Sequence, residues 1–97
     1  MPINELKPIK SEYIPEKLEE GILYISEKYS TAIHLCVCGC GGQTVTPLVK
    51  DNGWLLITSE QKCSLYPSIL NTFCGAHYWI ENNKIVWIRQ GGVNVKS

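Results

Sequence analysis

Cys36, Cys38 and Cys40 fall within five residues, in Cys36-Val37-Cys38-Gly39-Cys40-Gly41. A second cluster, Cys74-Gly75-Ala76-His77, follows well downstream. Two short ligand runs on separate tight turns, tied together by one ion, are how zinc ribbons and knuckles are built. Glycines beside the cysteines suit such turns, because a thiolate pair closing on one ion needs backbone that tolerates positive φ. Cys74 and His77 are separated by two residues and Cys36 and Cys40 by three, both inside the usual ligand spacing. The spacing therefore selects Cys36, Cys40, Cys74 and His77, with Cys38 able to replace either ligand of the first cluster. Cys63 stands alone in Lys62-Cys63-Ser64-Leu65 and reads as a small buried hydrophobe. Period-two alternation over 31–38 puts His34 on the face of Cys36 and Cys38, where it can be a ligand but reads rather as a hydrogen-bonding neighbour of a thiolate or a core histidine.

Other chemistry fits less well. A zinc deaminase would need a glutamate beside a histidine ligand and a downstream Cys-x-x-Cys, and the chain has neither. A cysteine nucleophile paired with His77 or His34 can be drawn, yet crowded thiols suit a closed thiolate site better than one activated sulfur. No catalytic residue is assigned, and the expectation leans away from an enzyme. The mixed thiolate and imidazole donor set favours zinc, with a rubredoxin-like iron site as the alternative.

The elements that position these residues read as strands. Residues 22–29, 31–37, 43–49, 54–58, 76–80 and 84–88 are rich in β-branched and aromatic types. Pro47 marks its strand as an edge or bulge. Asp51-Asn52-Gly53 and Asn82-Asn83 are hairpin-turn signals. Pro15 and Gly21 bracket one short helical turn, and residues 63–73, with Tyr66-Pro67, read as irregular. Trp79 and Trp87 are expected on one face of the last hairpin, as core or as a binding platform. The fold expected is all-β, a small antiparallel meander or partial barrel with zinc-ribbon or rubredoxin-like metal knuckles. Residues 1–20 form an extended N-terminal arm, 21–90 a single metal-stapled β domain and 91–97 a loose tail. The tail's Gly91-Gly92 is a weak echo of ubiquitin-like endings and reads as a turn or loose terminus.

The 97-residue chain balances nine Lys and Arg against nine Asp and Glu. Zero net charge removes the field that would draw it to nucleic acid or an anionic membrane. No apolar run approaches the roughly 20 residues that span a bilayer. The opening MPINELKPIK lacks the apolar stretch of an export signal. An odd cysteine count then argues for reduced thiols and a cytoplasmic setting. A chain of this length buries about 65% of its unfolded surface, so a metal clip has a physical purpose.

His34-Leu35-Cys36-Val37-Cys38-Gly39-Cys40-Gly41, Thr46-Pro47-Leu48, Trp54, Ser64-Leu65-Tyr66-Pro67-Ser68-Ile69, Cys74-Gly75-Ala76-His77-Tyr78-Trp79-Ile80 and Trp87 together resemble a family of small bacterial proteins defined only as a domain of unknown function. Its pattern runs HLCxCGCG, TPL, W, SLxPSI, CxxHYWI and a final tryptophan. The resemblance implies metal binding by Cys36, Cys38, Cys40, Cys74 and His77, with Ser64, Pro67 and Ser68 shaping a turn against them. It also implies company with ubiquitin-like conjugation components, some members being encoded beside them. The function expected is a zinc-binding accessory or adaptor module of such a pathway, with a protein partner. The alternative is a small metal-dependent hydrolase or thiol enzyme.

Overall fold

A computed structural model describes residues 3–49 and 53–88. Eight strands run in chain order: β1 (Lys7–Lys10), β2 (Ile22–Ser26), β3 (Thr31–Leu35), β4 (Gln43–Pro47), β5 (Leu55–Ser59), β6 (Lys62–Asn71), β7 (Ala76–Glu81) and β8 (Lys84–Trp87). The first four form one sheet in the order β1-β2-β3-β4 and the last four a second, β5-β6-β7-β8. The all-β class is as expected, but the strands divide into two sheets and no barrel closes. Every pairing is antiparallel except β1 with β2. Among the described residues there is no helix, hence none long and apolar enough to cross a membrane.

The core lies where the two sheets meet. Leu23, Ile25, Ala32, Leu65, Tyr78 and Ile80 are each fully enclosed. Neighbouring strands present these apolar side chains to the same interior, the pattern of a half-buried sheet. The N-terminal stretch joins both sheets. Leu6 is fully buried, its N–H donates to Asn83 O at 2.7 Å, and Asn4 O accepts from Ile85 N at 2.9 Å. Lys7–Lys10 then pairs with β2.

Some local expectations change. Residues 14–21 pass as bends and turns, since Pro15 to Gly21 is too short to repay helix nucleation. Pro47 ends β4, an edge strand where its missing N–H costs no ladder bond. β4 and β5 belong to different sheets, so the segment between them crosses over instead of forming a hairpin. Asp51 and Asn52 of that turn signal, and Gly91-Gly92 of the tail, lie outside the described residues. Asn82 and Asn83 sit at φ 50° and 72° and close the β7–β8 hairpin as a two-residue turn should.

The largest departure is β6, a ten-residue strand where an irregular segment was expected. Leu65 pairs with Ile80 and Ile69 with Tyr78, so β6 spends two more residues than β7 over the same stretch. Tyr66, Pro67 and Ser68 bulge there, with a cis bond between Tyr66 and Pro67. The bulge takes a proline that a regular central strand would exclude. The tryptophans also separate. Trp79 pairs with Val86 and Tyr78 with Trp87, so Trp79 and Trp87 occupy opposite faces.

Candidate functional site

Two constellations lie near the turn that joins β6 to β7. The first is the thiol cluster. The loop after β3 carries Cys36, Cys38 and Cys40, and the turn between β6 and β7 carries Cys74. The ligand atoms of all four lie within 4.8 Å of one another. Cys36 Sγ is 3.6 Å from Cys38 Sγ and 3.5 Å from Cys74 Sγ, and Cys38 Sγ is 3.6 Å from Cys74 Sγ. A tetrahedral ion with metal–sulfur bonds of about 2.3 Å requires sulfurs about 3.8 Å apart. The donor set and spacing therefore fit a metal ion.

Backbone geometry makes the cluster possible. Gly39, Gly41 and Gly75 sit at φ 92°, 85° and 81°, in the left-handed region where side chains are strained. Gly39 N donates to Cys36 O, and Cys36 N donates to Gly42 O at 2.8 Å. On the second turn Asn71 O accepts from Cys74 N and from Gly75 N. Asn71 also joins the two turns, because its Nδ2 donates to Cys36 Sγ at 3.2 Å and to Thr44 Oγ1 at 3.0 Å. A buried amide aimed at a sulfur orients it and stabilises its thiolate. Phe73 packs on Gly42, where a Cβ would lie 2.7 Å from the ring's Cζ.

Three of the four thiols, Cys38, Cys40 and Cys74, are displaced from the ordinary thiol range. Loss of solvation, reinforced by bonds with Cys40 and Cys36, pushes the Cys38 thiol up to about 12. Desolvation also raises Cys74, while the Gly42 N–H lowers Cys40. Such neighbours compete for protons, and a bound cation would relieve that competition.

His77 stands apart from the four thiols. Its ring Nε2 lies 3.0 Å from Ser68 Oγ, the second constellation. The register explains the meeting. Leu70 pairs with His77, so Ser68, two residues earlier on the same face, is the diagonal neighbour of the histidine. The bulge at Tyr66-Pro67-Ser68 re-aims the serine, and Ile88 N donates to His77 O at 2.8 Å to fix the histidine backbone. Both side chains are half-buried. A serine hydroxyl within hydrogen-bond reach of an imidazole nitrogen is a pairing that can serve as nucleophile and general base. Glu81 is bonded to Trp79 Nε1 at 3.3 Å.

The chain matches, over residues 10–88, the family described as Bacterial ubiquitination-like system serine protease (BubE). It belongs to the BubE family. No curated protein and no solved structure matches it. BubE membership points to a bacterial ubiquitination-like system, the setting that the motif resemblance implied.

The remaining site expectations can be placed on this BubE chain. His34 is fully buried, 2.7 Å from Tyr78 Oη through Nε2, and burial lowers it to about 4, so it is neutral. Tyr78 Oη also accepts from Asn71 Nδ2, which links His34 to the neighbours of Cys36. The residue that spacing alone missed is Ser68, given only a turn-shaping role beside His77. Its signal is in the sequence: once 62–71 is a strand and 72–75 a turn, Ser68 and His77 become diagonal neighbours on one face of the hairpin.

Cys63 is 1% exposed, and burial pushes its thiol up to about 11. Iodoacetamide at pH 8 is therefore expected to leave Cys63 unmodified in the native chain and to alkylate it in denaturant. Peptide mapping after brief native labelling checks this, and rapid native modification of Cys63 would contradict its burial.

Proposed function

We propose that this chain is a serine protease of a bacterial ubiquitination-like system, with Ser68 as nucleophile and His77 as general base. The 3.0 Å approach of Ser68 Oγ to His77 Nε2 carries the reading, and the family description supplies a serine protease to which it corresponds. In the first half-reaction Ser68 Oγ bonds to the scissile carbonyl carbon as its proton passes to His77 Nε2. The C–N bond breaks and His77 returns that proton to the departing amine. Water then attacks the ester, giving its proton to His77, and Ser68 Oγ leaves with that proton as the acid is released.

The four cysteines have a structural part in this proposal. Cys36, Cys38, Cys40 and Cys74 would hold one ion in a closed tetrahedron with no position for water, unlike the open site of a zinc hydrolase. With His77 engaged by Ser68, the imidazole that favoured zinc over iron is no longer a donor, and four thiolates suit either metal. Zinc is preferred because a closed structural site asks for no redox chemistry. The catalytic reading thus replaces the adaptor role, with an oxygen nucleophile where a thiol or metal-bound water was the expected alternative.

A small fluorophosphonate tests the nucleophile directly. Ser68 Oγ is expected to displace fluoride at phosphorus, with the serine proton taken by His77, giving one adduct per chain by intact mass. Mapping should place it on Ser68, and Ser68→Ala should remove it. A native chain that stays unmodified while a known serine hydrolase is labelled alongside would overturn the proposal.

A further inference from the structure

An open apolar groove of about 820 Å³ begins one residue from the nucleophile. Its walls include Leu48, Val49, Trp54, Leu55, Tyr66 and Pro67, and Pro67 directly precedes Ser68. The groove exists because β5 leaves β6 early. Their pairing runs from Ser59↔Lys62 to Leu55↔Tyr66 and goes no further. Beyond it Trp54 N donates to Pro47 O at 2.9 Å, so the chain turns away toward the end of β4. Past the bulge at Pro67 and Ser68, β6 pairs with β7 from Ile69 to Asn71, and, among the described residues, no strand pairs with its other side beyond Tyr66.

From this geometry we infer that the groove binds an extended segment of the polypeptide substrate, lying along β6 in continuation of β5 and filling the groove with an apolar side chain close to the scissile bond. The inference rests on the Ser68–His77 reading and adds the substrate class to it. Strand spacing decides the path. A peptide in the line of β5 runs about 4.8 Å from β6, within reach of Ser68, whereas one added outside β5 runs about 10 Å away. Main-chain bonds to a free strand edge supply sequence-independent affinity, and the pocket beside it supplies the choice of side chain. Apolar character follows from the lining. Among the described residues its one charged side chain is Glu27, which is exposed and paired with Lys10 at 3.3 Å. Leu55 and Val49 are 61% and 45% exposed, so both offer apolar surface that an occupant would cover.

Protection of Ser68 from the small fluorophosphonate measures occupancy without requiring turnover. Two capped six-residue peptides serve as competitors, one with leucines at its two central positions and one with aspartates there. The leucine peptide is expected to slow labelling at concentrations about tenfold lower than the aspartate peptide, the discrimination one apolar pocket commonly gives. Leu55→Asp and, separately, Val49→Asp should remove that advantage, protection being read in each variant against its own labelling rate without peptide. Equal protection by both peptides, no protection by either, or a preference unchanged in both variants would overturn the groove assignment while Ser68 still labels. Absence of labelling in the parent chain would instead overturn the serine reading on which it rests.

Discussion

Ser68→Ala is expected to lower kcat/KM for a peptide substrate by at least about 10⁴-fold, because Ser68 Oγ is the nucleophile held against His77 among the described residues. His77→Ala should cost about 10²–10⁴-fold, the usual contribution of a positioned base. The double variant should be hardly slower than Ser68→Ala alone, since a nucleophile and its base act as one unit and their losses do not add. Neither change should alter the fold. Both side chains are half-buried on the outer face of the β6–β7 hairpin, and neither belongs to the enclosed core. Melting temperatures within a few degrees of the parent, beside the kinetic loss, would separate catalysis from stability. Parental cleavage rates in Ser68→Ala would sink the assignment.

The meeting of Ser68 with His77 also marks where sequence reasoning reached its limit. Strand character was legible for β2, β3, β4, β5, β7 and β8 because β-branched and aromatic residues recur there between turn residues. Asn82-Asn83 was legible as a turn because its chemistry is local. β6 was not. Tyr66-Pro67 signals a break, and only a long-range pairing with β7 turns that break into a bulge inside a strand. With β6 taken as irregular, His77 had no partner across a hairpin and was drawn instead to the cysteine three residues away. The division into two sheets was hidden for a similar reason. A turn signal at 51–53 cannot say whether the next strand pairs with the last or crosses to another layer.

The cysteines show the converse case. Spacing rules developed for paired ligands favoured Cys40 over Cys38 and brought in His77. The folded loop gathers Cys36, Cys38, Cys40 and Cys74 instead. Positive φ at Gly39 and Gly41 is what lets alternate residues turn toward a common centre. The family resemblance, which implied all three cysteines of the first run, was the better guide there. It gave no warning that His77 serves a different neighbour, because a motif records residues together without saying which of them touch.

Removal of the proposed metal should have the second large effect, and its reach should extend to Ser68. A cross-link between Cys36 and Cys74 closes a loop whose conformational restriction is worth about 4 kcal/mol by the estimate used for disulfides. Structural zinc is held with about 10–16 kcal/mol in small metal-folded peptides, which rivals the whole stability of a domain this size. Cys74→Ser is therefore expected to lower Tm by at least about 15 °C, taking roughly 4 °C per kcal/mol for a small domain. Chelation of the parent should produce a similar fall, and Cys74→Ser should be insensitive to chelator. Elemental analysis of untreated protein should return one ion per chain, zinc by the present proposal, while a coloured iron-bearing preparation would reassign the metal without moving the ligands. The turn that carries Cys74 also joins the strands that carry Ser68 and His77, and Asn71 bonds both to that turn and to Cys36 Sγ. Loosening the turn should thus relax the β6–β7 register on which the 3.0 Å approach depends. Labelling of Ser68 is expected to fall with chelation and to return when the metal is restored. A chain shown to be metal-free that melts and labels like the parent would deny the cluster its structural part, leaving the serine and histidine to be judged alone.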